Sequence, residues 1–302
     1  MRTLVTGASG YIGRHLVKGL LRAGQQVTAI TRAKGNMGPL QQEAGLTIIE
    51  ADLEDTGWYR EVLAGHQCCI HAALIWGDLK SEIEGRDASI TSQLFESAGL
   101  AKVQRAIYVS SLAVHRPWNG VVTERNGFST TSLYGATKAA GELFFRAACA
   151  RHEISGVVMR PGPVVGRPAF SGGSIRTPRQ LEHIIDQLRR HLPITVDAGS
   201  TVQFCDVRAL AGMLVKLSSL AEAEPTYLGV DEKFFQWTEI AQQVLAALSS
   251  KSEVTVKATD ENASCIHFQS DYASSLLDQV PDTQASLFEH IKLLSEDRGA
   301  CL

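Results

Sequence analysis

A tyrosine and a lysine stand four residues apart in the run Tyr134-Gly135-Ala136-Thr137-Lys138. This spacing places both side chains on one face of a helix, on adjacent turns. A phenol ordinarily titrates at about pH 10, and a neighbouring ammonium favours its charged form, so the pair could move a proton near neutral pH. The alternative is a tyrosine packed against a sheet and a solvated lysine, because such pairs are common on surface helices.

Ser111 is the second of two serines that end a predicted strand over residues 105–111. Ligands of open parallel sheets bind at the carboxyl ends of the strands, so the Ser111 hydroxyl could donate to a substrate oxygen while Tyr134 handles the proton. The order along the chain strengthens this interpretation. A glycine-rich turn comes first, then the strand with its serines, and then the tyrosine–lysine pair about 23 residues later.

Three glycines, Gly7, Gly10 and Gly13, have the spacing GxxGxxG between a predicted strand and a predicted helix. Glycines at such a turn allow backbone N–H groups to approach a pyrophosphate, and they allow the helix to pack closely on the strand. The positive end of the helix dipole then faces the phosphates. This context predicts a dinucleotide site rather than a turn without a ligand.

The residues after the second predicted strand, 26–31, indicate which dinucleotide is used. An acidic residue there would bind the ribose 2′-hydroxyl, whereas an arginine accommodates a 2′-phosphate. The chain has Arg32 and no acid at this point, which favours NADP over NAD, with Arg14 or Lys34 as further ligands. The alternative is that Arg32 is a solvated surface charge.

Two further segments could line the same pocket. Asp52 follows a predicted strand and could accept a hydrogen bond from the adenine amino group, although it could equally cap the next helix. Ala72 and Ala73 end the fourth predicted strand, where a bulky side chain would collide with a cofactor. The preceding His71 is expected to pack in the interior.

The surrounding sequence predicts the elements that would position these residues. Short apolar strands alternate with amphipathic helices, and this alternation predicts an α/β fold, a Rossmann-type doubly wound parallel sheet. The predicted strands are 2–6, 26–31, 47–51, 67–72, 105–111 and 156–160, and the helices are 12–23, 87–101 and 134–152. We expect a dinucleotide-binding domain over residues 1–165, to which 202–225 return, and a smaller substrate-binding lobe over 166–201 and 226–302.

Composition narrows the partners. The net charge of −3 gives no reason to expect nucleic acid or an anionic membrane as a partner. Six cysteines lack the paired spacing of a disulfide framework or a zinc site, so we expect reduced thiols and no metal. The sequence shows no signal peptide and no apolar run of about 18 residues, which favours a cytoplasmic protein with a small-molecule substrate.

Together these motifs resemble the extended short-chain dehydrogenases/reductases, the group that contains the NAD-dependent epimerases and dehydratases. The resemblance covers residues 1–165 and is thin beyond them. It rests on Gly7, Gly10 and Gly13, Tyr108-Val109-Ser110-Ser111, Tyr134 with Lys138, and Arg160-Pro161-Gly162 followed by Gly166. It implies that Tyr134 is the catalytic acid–base, that Lys138 also holds the nicotinamide ribose, and that Ser111 positions the substrate oxygen.

The cofactor-binding residues expected from the motifs and the resemblance form one set. They are Gly7, Gly10, Tyr11, Ile12, Gly13, Arg32, Asp52, Leu53, Ala72, Ala73, Tyr134, Lys138 and Pro161. Members of this family often form dimers through a four-helix interface, so the resemblance also implies a homodimer through helices 87–101 and 134–152.

Two positions depart from the family pattern. Asp87 stands where the family usually has an asparagine, and a carboxylate lacks the amide donor. Sugar-nucleotide 4,6-dehydratases carry an Asp-Glu pair directly after the catalytic hydroxyl residue, whereas this chain has Leu112-Ala113. A dehydratase is therefore not expected.

Three hypotheses on function follow. The first is an NADP(H)-dependent oxidoreductase acting on a carbonyl or a secondary alcohol. The second is a NAD-dependent sugar-nucleotide epimerase, which would need basic groups in the second lobe for a diphosphate. The arginines available there are Arg167, Arg176, Arg179, Arg189 and Arg190. The third is a non-catalytic regulator that keeps the nucleotide fold.

Overall fold

The computed structural model describes residues 1–75, 85–118, 120–258, 267–277, 279 and 281–296, which alternate between strands and helices. The strands are β1 Arg2–Thr6, β2 Gln26–Thr31, β3 Leu46–Glu50, β4 Cys68–His71, β5 Arg105–Val109, β6 Val121–Val122, β7 Ser155–Pro161, β8 Val164–Val165, β9 Ile194–Asp197, β10 Thr201–Val202, β11 Cys205–Asp206, β12 Thr226–Gly229, β13 Phe235–Gln236, β14 Val254–Lys257 and β15 His267–Phe268. The α-helices are α1 Tyr11–Arg22, α2 Tyr59–Leu63, α3 Arg86–Leu100, α4 Leu133–His152, α5 Arg179–Arg189, α6 Val207–Ser219, α7 Trp237–Ala247 and α8 Thr283–Glu296.

Seven strands form the main sheet in the order β12-β7-β5-β4-β1-β2-β3. Every neighbouring pair in it is parallel. Strands β2 and β3 follow β1 on one side of it, whereas β4 and the later strands of this sheet lie on its other side. The strand order therefore reverses between β1 and β4. Such a reversal leaves a crevice at the carboxyl ends of the strands, where ligands of this architecture bind. The predicted Rossmann-type fold is confirmed.

Helices cover both faces of this sheet because successive side chains of a strand point to opposite faces. Leu4 and Tyr108 lie in one core with α3 and α4, whereas their neighbours Val5 and Val109 lie in a second core with α1 and α6. A parallel sheet buried on both faces requires apolar residues at nearly every strand position. That requirement explains the continuous apolar runs in the sequence.

A smaller lobe has a third core of its own. Leu181, Ile184 and Leu188 on one face of α5 pack with residues from β9, α7 and α8. Strand β9 pairs in parallel with β14, which supports this core from one side.

Two stretches of the chain lie differently from the predicted division into domains. Strand β12 is the edge strand of the main sheet, so residues 226–229 belong to that sheet and not to the lobe to which the sequence analysis assigned them. Ala273 and Leu276 pack in the core of the main sheet as well. The part of the tail that returns to the main sheet is therefore longer than predicted.

None of the helices in the described ranges is long and apolar enough to cross a membrane. Within the same ranges, no three His, Cys, Asp or Glu side chains cluster so that they could bind a metal ion.

Candidate active site

The glycine turn joins β1 to α1 and packs against the end of β4. Gly7 has a φ of +67°, and a Cβ at this residue would lie 2.5 Å from the backbone nitrogen of Ala73. A Cβ at Gly13 would lie 2.0 Å from the carbonyl oxygen of Gly7. Both positions therefore require glycine, and the close approach brings the small residues Ala72 and Ala73 against the turn.

The N-terminus of α1 lies open to the crevice. In the described part of the chain, no side chain accepts a hydrogen bond from the first-turn amides of Tyr11, Ile12 and Gly13, and this turn contains no acidic residue. Unpaired amides at the positive end of a helix are a suitable site for an anion. The turn and the helix therefore fit the pyrophosphate of a dinucleotide.

The side chain of Tyr11 has a second role, which the sequence did not indicate. Its hydroxyl donates to the carbonyl oxygen of Gly166 at 2.8 Å. This bond ties the glycine turn to the loop that enters the smaller lobe. Burial raises the pKa of the Tyr11 phenol, so its hydroxyl remains a donor.

Arg32 follows β2 at the same edge of the sheet. Its side chain is exposed and forms no ion pair with any residue in the described ranges. An acid that no sequence motif indicated lies close by. Glu50 pairs with Thr31 in the β2–β3 register, and its carboxylate accepts a hydrogen bond from the backbone amide of Lys34 at 2.6 Å.

The guanidinium of Arg14 is held by other groups of the chain. It donates to the carbonyl oxygen of Asn36 at 2.9 Å and to the Ser174 hydroxyl at 2.8 Å, and it lies over the ring of Phe170. These contacts hold two loops together. The hydrogen bonds to Asn36 and Ser174 use three of the five N–H donors of Arg14, and its supporting role in cofactor binding stays a prediction.

Asp52 and Leu53 follow β3, the edge strand of the main sheet. One Asp52 carboxylate oxygen accepts from the backbone amide of Glu54 at 2.9 Å, which forms a tight turn and leaves the exposed second oxygen for a ligand. The cap of the short 3₁₀ helix that follows is Asp55. Leu53 is buried, and its carbonyl oxygen accepts from the hydroxyl of Tyr59.

Tyr134 lies in the first turn of α4. Ser132 caps this helix, and its hydroxyl accepts from the backbone amide of Gly135 at 3.1 Å. A Cβ at Gly135 would lie 2.3 Å from the carbonyl oxygen of Ala113, so this first turn packs directly on the loop after Ser111. The half-buried Tyr134 is thereby placed at the same edge of the sheet as Ser111.

Ser111 begins the loop between β5 and α4. Its hydroxyl oxygen accepts from the backbone amide of Ala113 at 3.2 Å, at the start of a 3₁₀ helix over Leu112–His115. The Trp118 indole donates to the Leu112 carbonyl at 3.0 Å and closes the loop. Since the Ser111 oxygen acts as an acceptor here, its own hydrogen remains available for a ligand.

Lys138 lies one helical turn beyond Tyr134 and is almost completely buried. Its Nζ forms an ion pair with Oδ2 of Asp87 at 3.2 Å and lies 5.1 Å from the centre of the Tyr108 ring. Burial by itself lowers the pKa of Lys138. The Tyr108 phenol, the Asp87 carboxylate and the Tyr134 phenol together outweigh burial and raise this pKa, so the lysine is an ammonium.

His71, at the end of β4, is fully buried beside this ion pair. Thr91 uses its only hydroxyl hydrogen on the Asp87 carbonyl oxygen at 2.7 Å. The Nε2 of His71 must therefore donate to Thr91, and its Nδ1 accepts from the Thr6 hydroxyl at 2.6 Å. Burial lowers the pKa of His71 to about 4, in agreement with a neutral ring.

A second buried ion pair, which was not predicted from the sequence, supports the loop after Ser111. Arg160 donates twice to the Glu142 carboxylate, at 2.9 and 2.7 Å, and also to Nε2 of His115 at 3.0 Å. Ser110 donates to the same carboxylate at 2.6 Å. Glu142 lies four residues after Lys138, so its helical spacing from the tyrosine–lysine pair was the available signal. Pro161, next to Arg160, is buried at the end of β7.

Some of the arginines of the smaller lobe already bind other groups of the chain. Arg167 pairs with Glu289 at 2.9 Å, Arg190 pairs with Asp186 at 3.0 Å, and Arg189 donates to the carbonyl oxygen of Leu294. Arg176 and Arg179 are exposed.

The sequence is similar to those of known enzymes. The sequence model of the NAD dependent epimerase/dehydratase family matches residues 3–227. Over 209 residues the chain is 31% identical to a 4-hydroxy-2-methyl-3-oxo-4-farnesyl-3,4-dihydroquinoline-1-oxide ketoreductase from Stigmatella aurantiaca, a match that covers 66% of this chain and 58% of that protein. Over 178 residues it is 28% identical to a dTDP-glucose 4,6-dehydratase from Streptomyces niveus, with 53% of each protein covered. The chain thus spans only between half and three fifths of the length of these two relatives.

The fold also matches a solved structure over most of its length. A UDP-glucuronic acid 4-epimerase from Bacillus cereus, solved in complex with NAD, superposes with a TM-score of 0.78 and 21% identity. The match covers 97% of this chain and 94% of that one. The resemblance to extended short-chain dehydrogenases/reductases is confirmed, and the relatives are enzymes rather than regulators. The protein is an enzyme, and it belongs to the NAD dependent epimerase/dehydratase family.

Proposed function

We propose that the protein is an NADP(H)-dependent oxidoreductase that interconverts a carbonyl group and a secondary alcohol on a small molecule. The arrangement around the start of α4 carries this proposal. Tyr134 lies in the first turn of the helix, the Lys138 ammonium lies one turn later, and the Ser111 loop packs against that first turn. The three groups share the edge of the sheet that holds the glycine turn.

In this proposal Tyr134 is the acid–base. A nicotinamide dinucleotide, when bound, would supply or accept the hydride. During reduction Tyr134 donates its proton to the substrate oxygen, and during oxidation it takes that proton back. The Lys138 ammonium and the positive end of α4 both stabilise the phenolate that results. Ser111 donates its free hydrogen to the same substrate oxygen.

The residues that would hold the cofactor follow the crevice from one end to the other. The amides of the glycine turn and of α1 fit the pyrophosphate, Lys138 fits the hydroxyls of the nicotinamide ribose, and Arg32 fits a 2′-phosphate. The proposed set is Gly7, Gly10, Tyr11, Ile12, Gly13, Arg32, Asp52, Leu53, Ala72, Ala73, Tyr134, Lys138 and Pro161.

A NAD-dependent sugar-nucleotide epimerase is the second candidate, because one observation favours it. The Glu50 carboxylate lies next to the end of β2, and an acid at this point would bind a 2′-hydroxyl and repel a 2′-phosphate. Against this candidate, Arg167 and Arg190 already pair with carboxylates. Only Arg176 and Arg179, of the five arginines named, are exposed without a described ion pair.

We further propose that two protomers associate through α3 and α4. Leu143 and Phe144 on α4 are 58% and 48% exposed, and Leu100 at the end of α3 is 56% exposed. Large apolar side chains at this exposure are suited to a partner surface.

We also propose that the smaller lobe binds the substrate. A cytoplasmic location fits the buried free thiols of Cys68, Cys69, Cys149 and Cys205.

Nucleotide analysis of the purified protein separates the two candidates. The protein is denatured with acid or alkali, and the released nucleotide is quantified. For the reductase we expect little bound nucleotide and consumption of NADPH with a small ketone from a test panel. About one equivalent of released NAD, with turnover of a UDP-sugar, would instead support the epimerase. A protein that binds neither nucleotide would contradict both.

A further inference from the structure

Asp87 and Lys138 form an ion pair that is almost completely buried, with a small exposed fraction left on the lysine. Asp87 is 0% exposed, Lys138 is 2% exposed, and their charged atoms are 3.2 Å apart. A charge buried without a partner is strongly destabilising, so each residue keeps the other in place. Asp87 also lies in the first turn of α3, where the helix dipole favours a negative charge.

The second oxygen of Asp87 contacts another part of the candidate site. Its Oδ1 accepts from the backbone amide of Ile75 at 2.8 Å. Ile75 closely follows Ala72 and Ala73, which pack against Gly7. One carboxylate thus links the ammonium of Lys138 to the loop that lies against the glycine turn.

The other titratable groups that the structure describes around the pair do not carry a negative charge that could replace that of the Asp87 carboxylate. His71 faces it from β4 and is neutral, because burial lowers its pKa to about 4. Tyr108 faces it from β5, and burial raises the pKa of this phenol to about 12. Tyr134 faces it from α4. Among the described residues, Asp87 therefore supplies the negative charge that balances Lys138 near neutral pH.

We propose that Asp87 is a positioning residue, which holds Lys138 as an oriented ammonium for the cofactor ribose and couples it to the loop over residues 72–75. The proposal rests on the function proposed above, in which Lys138 contacts the ribose. The family's usual asparagine could bond to the loop amide through its oxygen, but it could not balance the charge. With aspartate at this position, the charge state of Lys138 therefore depends on the carboxylate of Asp87 in α3.

The test is Asp87→Asn, with NADPH affinity measured by fluorescence titration from pH 6 to pH 10. The amide retains an acceptor for Ile75 and removes the charge, so burial then lowers the pKa of Lys138. We expect the affinity of the variant to fall relative to wild type as pH rises. Over the pH range in which Lys138 is deprotonated in the variant and still charged in wild type, the ratio should change by about tenfold per pH unit. Asp186→Asn removes an equal charge from an exposed pair and should follow wild type at every pH.

A pH-independent ratio of variant to wild-type affinity would overturn the inference, since a purely structural residue would weaken binding equally at every pH. This result would leave the proposed function intact, because wild type would still bind NADPH. Failure of wild type to bind any nicotinamide nucleotide would instead contradict the proposed function.

Thermal unfolding tests the ion pair without cofactor. We expect Asp87→Asn to lower Tm by on the order of 10 °C, because it leaves a buried ammonium without its partner. Adding Lys138→Met should recover most of that loss. If the double variant loses as much as the sum of the two single variants, the two residues are not coupled and the inference is overturned.

Discussion

At the scale of single residues, two side chains of opposite charge lie at the ends of the neighbouring strands β2 and β3. Arg32 follows β2 and is free of ion pairs among the described residues, whereas Glu50 ends β3 and contacts the Lys34 amide. A 2′-phosphate is attracted by the first charge and repelled by the second. If the proposed cofactor site is correct, selectivity between NADPH and NADH depends on the balance of these two side chains.

Arg32→Asp should shift the ratio of kcat/KM for NADPH over NADH toward NADH by about 10- to 100-fold. This range corresponds to one charge-assisted hydrogen bond of about 1.5–3 kcal/mol. Glu50→Gln is the matched variant and should shift the ratio the other way. The ratio is measured by steady-state kinetics with both cofactors. An unchanged ratio in Arg32→Asp would place the 2′-phosphate contact elsewhere.

At the scale of elements, β1, the glycine turn and α1 form one unit in which the three glycines differ. Cβ atoms at Gly7 and Gly13 would meet backbone atoms at 2.5 and 2.0 Å. A Cβ at Gly10 would meet only the Gly7 carbonyl oxygen at 3.2 Å. Two of the glycines are therefore required by the fold, while Gly10 is open to the crevice.

Gly10→Ala should fold with nearly the wild-type free energy of unfolding and bind NADPH at least tenfold more weakly, since its methyl group occupies the path of the pyrophosphate. Gly13→Ala is the contrasting variant and should lose about 1–3 kcal/mol of stability, because its methyl group overpacks the turn. Urea unfolding and fluorescence titration give the two quantities. Wild-type affinity in Gly10→Ala would contradict the proposed pyrophosphate site.

The sheet was predictable because buried parallel strands appear in the sequence as short apolar runs that alternate with amphipathic helices. Strand Arg2–Thr6 has the predicted bounds, strand Leu46–Glu50 is displaced by one residue, and helix Tyr11–Arg22 begins and ends one residue earlier than predicted. Strand Thr226–Gly229 was assigned to the wrong part of the molecule. A short edge strand far along the chain carries no local sign of which sheet it joins.

The residue types around the tyrosine–lysine pair were predictable from order and spacing, but their partners were not. Asp87 was identified as a departure from the family pattern, yet its ion pair with Lys138 depends on the packing of α3 against α4. The same holds for Arg160, Glu142 and His115, which meet through tertiary structure alone. The sequence likewise gave no sign that Glu50 would lie beside Arg32, since register across neighbouring strands brings them together.

At the scale of the whole molecule, several histidines are held neutral in the interior. Burial lowers the pKa of His66, His71, His115 and His290, in the case of His71 from 6.5 to about 4. Below pH 6.5 the unfolded chain binds protons that the folded protein does not accept. The stability that these groups contribute is therefore fully present above pH 6.5 and is lost as pH falls.

We expect the free energy of unfolding to decrease as the pH is lowered from about 6.5 to about 4, by up to ~1.4 kcal/mol per pH unit for each such histidine. His71→Gln removes one titrating group and should make this decrease shallower. Urea unfolding at a series of pH values measures the slope for both proteins. Identical slopes would mean that His71 is not held neutral in the folded protein.

In the proposed reaction, the Tyr134 phenol, assisted by a buried ammonium one helical turn away, moves the proton of the substrate oxygen. Tyr134→Phe keeps the ring and removes only the hydroxyl, so it tests this claim most directly. Turnover of whichever ketone proves active should fall by about 10²- to 10⁴-fold, the usual contribution of a general acid–base. NADPH affinity, measured by fluorescence titration, should stay within about threefold of wild type. Turnover at the wild-type rate would contradict the account.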